Sequence, residues 1–160
     1  MPFGMHALSI LYGTWVPARE PYMRFVFVFL LCFAFPGLAQ AADQITGDWV
    51  SQDGKGVVTI APCGKALCGH ITRLTEKAKT EGPTTDSNNP NPALRARSLV
   101  GVKVLFDFTA QSDGKWQGKI YYPFQGKTYR AFISRDSDRS LKVQGCWLII
   151  CRTVKWPAAN

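Results

Sequence analysis

Residues 141–156 read LKVQGCWLIICRTVKW and alternate in polarity on both sides of a short apolar centre. Because successive side chains of a β-strand point to opposite faces, Leu141 and Val143 share one face and Cys146 lies on the other. On the returning strand Cys151 also falls on the polar face. The pattern predicts an antiparallel hairpin whose two cysteines meet across the strands, as a cross-strand disulfide requires.

A second cysteine pair repeats this spacing, and its alternation again puts both sulfurs on one face of a hairpin. The two strand-like runs of this hairpin are residues 57–62 and 67–73. We therefore predict the disulfides Cys63–Cys68 and Cys146–Cys151, although four cysteines allow three connectivities that spacing alone does not separate. A zinc site built from all four cysteines is the alternative, because ligand spacing admits it; no metal is expected.

Short connections separate the other strand-like runs, which span Ile45–Ser51, Val100–Phe108, Trp116–Tyr122, Lys127–Ser134, Leu141–Trp147 and Ile149–Trp156. With the first hairpin they make eight strands, and no run of helical length with a period of 3.6 residues interrupts them. The pattern predicts an all-β fold of about eight antiparallel up-and-down strands, arranged as a barrel or a sandwich. The interior of such a barrel is filled by side chains or holds one small ligand.

One connection is long, the 24 residues Thr75–Ser98. Loops of this length without secondary structure are uncommon and often functional. We interpret it as a lid-like crossover at one barrel end, in which Asp86 pairs with Arg95 or Arg97 and, like Asn89, has a structural role. The functional alternative is that Arg95 and Arg97 offer guanidinium donors to an anionic ligand at the barrel mouth.

The N-terminal segment has the three parts of a secretory signal peptide. Arg24 supplies the basic start, Phe25–Phe35 the apolar run, and Ala39 and Ala41 the small residues of a cleavage site. The apolar run is shorter than the roughly 20 residues that span a bilayer, so an uncleaved membrane anchor is the weaker alternative. A lipoprotein attached through Cys32 is weaker still.

We therefore predict a signal peptide at 1–41, a single domain at 42–160 and a periplasmic location. Residues 1–22 are long and weakly charged for a signal peptide, and we take Met23 as the true start. Removal of Arg19, Glu20 and Arg24 leaves 17 basic and 10 acidic residues, net +7 instead of +8.

The basic residues of the predicted domain are dispersed, with no run of three Lys or Arg. We therefore expect no nucleic-acid partner. Peripheral contact with anionic envelope lipid is the alternative to a merely solvated basic surface.

Several motifs occur together along residues 45–156. They are Gly47-x-Trp49, Cys63-Gly64…Leu67-Cys68-Gly69-x-Ile71, Asp86-x-x-Asn89-Pro90-x-Pro92-x-Leu94-Arg95-x-Arg97-x-Leu99-x-Gly101, Ile120-Tyr121-x-Pro123-x-x-Gly126-Lys127-x-Tyr129, Leu141-x-Val143-x-Gly145 and Arg152-Thr153-x-x-Trp156. This set resembles the bacterial domain of unknown function family 2147 (DUF 2147). Tyr122 stands where that family often carries Asp.

The resemblance implies an exported Gram-negative protein with a lipocalin-like β-barrel, and it supplies no reaction. Gly47-x-Trp49 with the late Arg152 also resembles the lipocalin arrangement, in which an Arg of the last strand packs on the Trp of the first. We therefore expect a structural contact between Trp49 and Arg152 at the barrel floor.

A small-molecule binding module is the function that we favour, with an apolar or amphipathic ligand and no cofactor. The candidate ligand-binding residues are Arg95, Arg97, Phe106, Phe108, Trp116, Tyr129 and Trp147, with Trp156 as a further interior aromatic. The alternative is an envelope structural or interaction protein with a filled core. An enzyme is less favoured, because His70 is the one histidine of the predicted domain and is expected to point outward.

Overall fold

Eight antiparallel strands form one sheet in residues 45–160, the part of the chain that the computed structural model describes. Each strand pairs with its neighbours in sequence, which confirms the predicted all-β, up-and-down order. The predicted signal peptide at 1–41 lies outside the described residues. The strands are β1 (Gly47–Val50), β2 (Gly56–Cys63), β3 (Ala66–Leu74), β4 (Lys103–Ala110), β5 (Trp116–Tyr122), β6 (Lys127–Ser137), β7 (Ser140–Trp147) and β8 (Ile150–Pro157).

The sheet curls until its two edge strands meet at one end, which we call the floor. Trp49 in β1 forms a β-bridge with Ala158, directly after β8. The Ala159 N–H also donates to the Asp48 carbonyl at 2.9 Å. Since β1 has four residues and β8 has eight, most of the outer edge of β8 has no strand partner among the described residues.

The opposite end, which we call the mouth, collects every second connection of the meander. The β1–β2, β5–β6 and β7–β8 turns lie there, because consecutive antiparallel strands turn at alternate ends. The long β3–β4 crossover emerges at the same end. The hydrophobic core lies inside the curled sheet, between the two ends. Its buried side chains include Val58, Ile60, Leu67, Leu105, Phe108, Ile133, Leu141 and Val143.

Strand β4 departs from the alternation that the sequence predicts. Asp107 has a φ of 55°, and the pairing with β5 shifts register between Phe106 and Thr109. This irregularity breaks the period of two, so Leu105 and Phe108 are both buried. Phe106, expected to share a face with Phe108, is instead half-buried at the margin of the core.

The crossover contains two short helical segments. Helix α1 spans Glu76–Glu81 and is N-capped by Thr75, whose hydroxyl accepts from the Ala78 N–H. A single 3-10 turn spans Pro92–Leu94. Helix α1 was not predicted, because six residues are too few to leave a readable period of 3.6 in the sequence.

The floor contact differs from the expectation that Arg152 packs on Trp49. The guanidinium of Arg135 lies 5.2 Å from the centre of the Trp49 ring. Arg152 is exposed and pairs with Gly145. The register of the closure explains the difference, since it brings Ala158 beside Trp49 and leaves Arg152 six residues away, about 20 Å along the strand.

Both predicted disulfides are present, Cys63–Cys68 at the floor end and Cys146–Cys151 at the mouth end. Their sulfurs are therefore not available as thiolate ligands, which contradicts the alternative of a four-cysteine zinc site. His70 is exposed, on the outward side where the alternation of β3 predicted it. Within residues 45–160 no helix is long and apolar enough to cross a membrane.

Candidate functional site

A cavity of about 350 Å³ opens at the mouth and runs into the concave side of the sheet. This volume is within the range of about 300–1,000 Å³ that is typical of small-molecule sites. Its deep wall is apolar and is formed by Val58, Ile71, Leu74, Leu99, Val104, Ile120, Val143, Val154 and Trp156.

The strand register assembles this wall from residues far apart in sequence. Val58 in β2 lies opposite Ile71 in β3, and Val143 in β7 lies opposite Val154 in β8. Gly145 follows Val143 on the same face, and a Cβ built on it would meet no atom within 4 Å. The missing side chain at Gly145 therefore keeps the upper part of the cavity open.

Trp156 contributes a buried indole ring to this wall. Its side chain is buried, and its indole N–H has no hydrogen-bond acceptor among the described residues. The other tryptophan near the floor differs, because Trp49 donates its indole N–H to the Ile45 carbonyl at 3.0 Å. The Trp156 indole nitrogen itself has almost no accessible surface, so the ring, and not its N–H, contacts the open cavity.

Polar and aromatic side chains surround the mouth. The Tyr129 hydroxyl donates to Gln125 at 2.6 Å, and the Tyr129 ring meets the Trp147 ring edge-on at 5.9 Å. The Lys55 ammonium donates to the Glu81 carbonyl at 2.8 Å and lies 5.0 Å from the centre of the Phe124 ring. These contacts join the turns of the mouth to helix α1.

The charges at the mouth also act on Tyr122, which lines the cavity. Burial of the phenol raises its pKa, and the nearby Asp53 carboxylate raises it further. The hydroxyl is therefore neutral at physiological pH and is able to donate a hydrogen bond. Asp53 itself accepts from the Ser51 hydroxyl at 2.6 Å, which fixes the β1–β2 turn.

A buried polar cluster supports the cavity from the crossover side. Fully buried Asp86 accepts hydrogen bonds from the Tyr121 hydroxyl (2.6 Å), from the Asn89 amide (2.7 Å) and from the Arg97 guanidinium (2.7 and 3.0 Å). Arg95 donates to the Asn89 carbonyl at 2.8 Å. Tyr121 also lines the cavity, so this cluster ties the crossover to the cavity wall.

The phenol of Tyr121 is strongly held in its neutral form. Burial raises its pKa to about 12, and the hydrogen bond to the Asp86 carboxylate acts in the same direction. A phenol that donates to a carboxylate cannot give up its proton without placing two negative charges side by side. The cluster therefore holds a neutral phenol against an ionised carboxylate.

The structure divides the seven predicted ligand-binding residues. Tyr129 and Trp147 line the cavity. Phe108 and Trp116 are buried in the packed core. Phe106 makes a cation–π contact with Lys103, whose ammonium lies 5.1 Å from the centre of its ring. Arg95 and Arg97 lie in the crossover with the partners described above, outside the cavity lining.

Other cavity residues were not predicted from the sequence to bind a ligand. The alternation of β8 does place Arg152 and Val154 on the concave face, so a signal for both was present. Lys55 belongs to the β1–β2 turn, whose path the sequence does not specify, and Tyr122 is the last residue of β5. Among residues 45–160 no group of three or more His, Cys, Asp or Glu side chains is arranged to hold a metal ion.

Comparison with known proteins gives two matches. The family model described as "Uncharacterized protein conserved in bacteria (DUF2147)" matches residues 47–157. A solved structure, protein HP1028 from Helicobacter pylori, described as belonging to the lipocalin family, superposes with a TM-score of 0.62. The two sequences are 23% identical, over 73% of this chain and 84% of that chain. At this identity the likeness shows the fold, which is lipocalin-like. No curated protein matches the chain.

Proposed function

The chain belongs to the DUF2147 family of uncharacterized proteins conserved in bacteria, and we propose that it is an exported protein that holds one small apolar or amphipathic molecule in its cavity. In this proposal residues 1–41 are a signal peptide and residues 42–160 are the exported domain. The two disulfides support export, because such bonds persist in oxidising compartments.

The cavity is the observation that carries this proposal. Its deep wall is aliphatic, its mouth is polar, and its volume of about 350 Å³ suits one small molecule. A filled core, the alternative in which the protein has only a structural role, would leave no such space. The lipocalin-like fold is compatible with binding of small ligands.

Native mass spectrometry of the protein purified from its own periplasm tests whether a ligand is present. We expect a second species, heavier by the mass of one small molecule, that disappears on unfolding. A clean mass of the protein alone, together with no binding of added apolar probes, would favour the structural role instead.

Added 2-methoxynaphthalene, an apolar ring system with one ether oxygen, tests binding directly. We expect the wild type to bind one molecule of this probe per chain. No binding at saturating probe would count against a ligand-binding cavity.

A further inference from the structure

We propose that the turn between β7 and β8 docks the protein onto an anionic lipid bilayer. The apolar tip, residues 147–150, has the sequence Trp-Leu-Ile-Ile. The exposed fractions of these four side chains are 57%, 82%, 95% and 74%. The described residues contain one other large hydrophobic side chain of comparable exposure, Val100. A contiguous exposed apolar patch of this kind marks a protein or membrane contact.

The apolar tip is held in place by the hairpin beneath it. Cys146 and Cys151 face each other in register and are joined by a disulfide at the base. Leu148 has a φ of 52°, in the left-handed region where a two-residue hairpin turn favours glycine. The turn therefore carries a large apolar side chain at a position where its backbone favours glycine. Hairpin formation does not explain why leucine is present there.

Cations surround the apolar tip. The Lys127 ammonium lies 5.9 Å from the centre of the Trp147 ring, and Arg152 follows the disulfide. Arg130 lies opposite Cys146, with its guanidinium 5.3 Å from the centre of the Phe132 ring. None of these three cations is in an ion pair with another described residue. They are therefore available to lipid phosphates.

The sequence around the apolar tip keeps its charge positive. Residues 139–160 contain no Asp or Glu. Two cations farther from the tip, Lys142 and Lys155, share the carboxylate of Asp136 at 2.7 and 2.8 Å. Within this hairpin the cations beside the apolar tip are thus unpaired, whereas Lys142 and Lys155 are neutralised toward the floor.

An anionic bilayer is the occupant that fits both features. Its acyl region takes the leucine and isoleucine side chains, its interface takes the tryptophan, and its phosphates take the cations. A second copy of this chain fits less well, because two tips in contact would bring like charges together. Trp147, Ile150 and Arg152 also line the cavity, so docking would place the mouth at the bilayer surface.

Binding to phospholipid vesicles tests this inference on the processed protein. We expect it to sediment with vesicles of phosphatidylethanolamine and phosphatidylglycerol and to bind phosphatidylcholine vesicles at least several-fold more weakly. Raising the salt concentration from about 0.1 to about 1 M should weaken binding several-fold, since it shortens the screening length from about 10 to about 3 Å. Three tryptophans of the described chain are buried and Trp147 is exposed, so insertion should shift its emission to the blue.

The double variant Leu148→Gly, Ile149→Asn removes the apolar tip with turn residues that the backbone favours. We expect it to fold and to bind phosphatidylglycerol vesicles at least tenfold more weakly. Val100→Asn, a matched loss of an exposed apolar side chain elsewhere, should bind like the wild type. Equal binding by the wild type and the double variant, or no binding by the wild type, would overturn the inference.

Two further measurements distinguish lipid docking from self-association and from a change in the cavity. If light scattering shows a dimer that the double variant abolishes and no vesicle binding, the occupant is a second copy and the inference is wrong. Binding of 2-methoxynaphthalene in buffer without lipid should survive in the double variant. If the double variant no longer binds vesicles but still binds the probe, the change affects the apolar tip alone. If the wild type itself does not bind the probe, the proposed function is contradicted.

Discussion

Replacement of Gly145 by phenylalanine should fill the cavity without disturbing the sheet around it. Gly145 lies in β7, paired with Ala131 and Arg152, and it faces the cavity. A Cβ at this position meets no atom within 4 Å, and the backbone φ is not in the left-handed region. The aromatic ring therefore has space to enter, and that space is the cavity of about 350 Å³.

The expected loss of affinity follows from the apolar contact that the ring takes away from a ligand. Each methylene group that a ligand buries contributes about 0.8 kcal/mol. If the phenyl ring displaces the equivalent of about three such groups, the ligand loses about 2.4 kcal/mol, which corresponds to roughly a fifty-fold weaker Kd. The fold should keep its stability, because the ring adds buried apolar surface where there was none.

Equilibrium dialysis with 2-methoxynaphthalene measures the affinity. Urea unfolding with and without the probe measures how much probe binding raises the free energy of unfolding. A ligand at one hundred times its Kd stabilises the folded state by about 2.7 kcal/mol. We expect this gain in the wild type and a much smaller one in Gly145→Phe. Gln144→Phe adds the same side chain to the outer face of β7, where Gln144 contacts Thr153, and should retain binding.

The two variants together give the decisive outcomes. If Gly145→Phe folds normally and binds the probe as tightly as the wild type, the probe occupies another place and the reasoning about the cavity fails. If Gln144→Phe loses binding to the same extent, the effect comes from a general change in the sheet.

Three other changes test the network around the cavity. The pKa of Tyr121 is raised from 10.0 to about 12, so the folded state should lose the stability that the neutral phenol provides as the pH rises from about 10 to about 12. Urea unfolding should show a loss of about 2–3 kcal/mol over this range. Tyr121→Phe should not show this pH-dependent loss. Hydrogen bonds from two lysine ammonium groups lower the pKa of Asp136 from 3.8 to about 2. The stability that the Asp136 carboxylate provides should therefore be lost as the pH falls from about 3.8 to about 2. In acid titrations, Asp136→Asn should lose less of its free energy of unfolding over this range than the wild type. Replacing Cys146 and Cys151 by alanine should lower the free energy of unfolding by about 2 kcal/mol, since the closed loop is short, and a change below about 0.5 kcal/mol in chemical denaturation would contradict that account.

Local alternation was sufficient to predict most of the fold. The cysteines of both hairpins are paired as the period of two required, because within a hairpin the register follows from the turn. The pairing of Asp86 with Arg97 was one of two options, since both arginines lie within reach along the same loop. The disulfides, this ion pair and all strand neighbours except β3 and β4 depend on residues close in sequence or joined by a short turn.

Contacts between distant residues could not be predicted in this way. Tyr121 joins Asp86 across 35 residues, and no local pattern indicates that partner. Arg135 instead of Arg152 reaches Trp49, because the stagger of the closing strands decides which cation lies at the floor. The backbone irregularity at Asp107 likewise moved Phe106 out of the predicted interior face, and an Asp with positive φ gives no clear signal in the sequence.

Methyl NMR of the protein with 2-methoxynaphthalene tests most directly whether the cavity holds the small molecule. We expect nuclear Overhauser effects from the naphthyl protons to the methyl groups of Val143 and Val154, at one molecule per chain. Nuclear Overhauser effects confined to Leu148 and Ile149 in the exposed turn, or none at saturating probe, would contradict it.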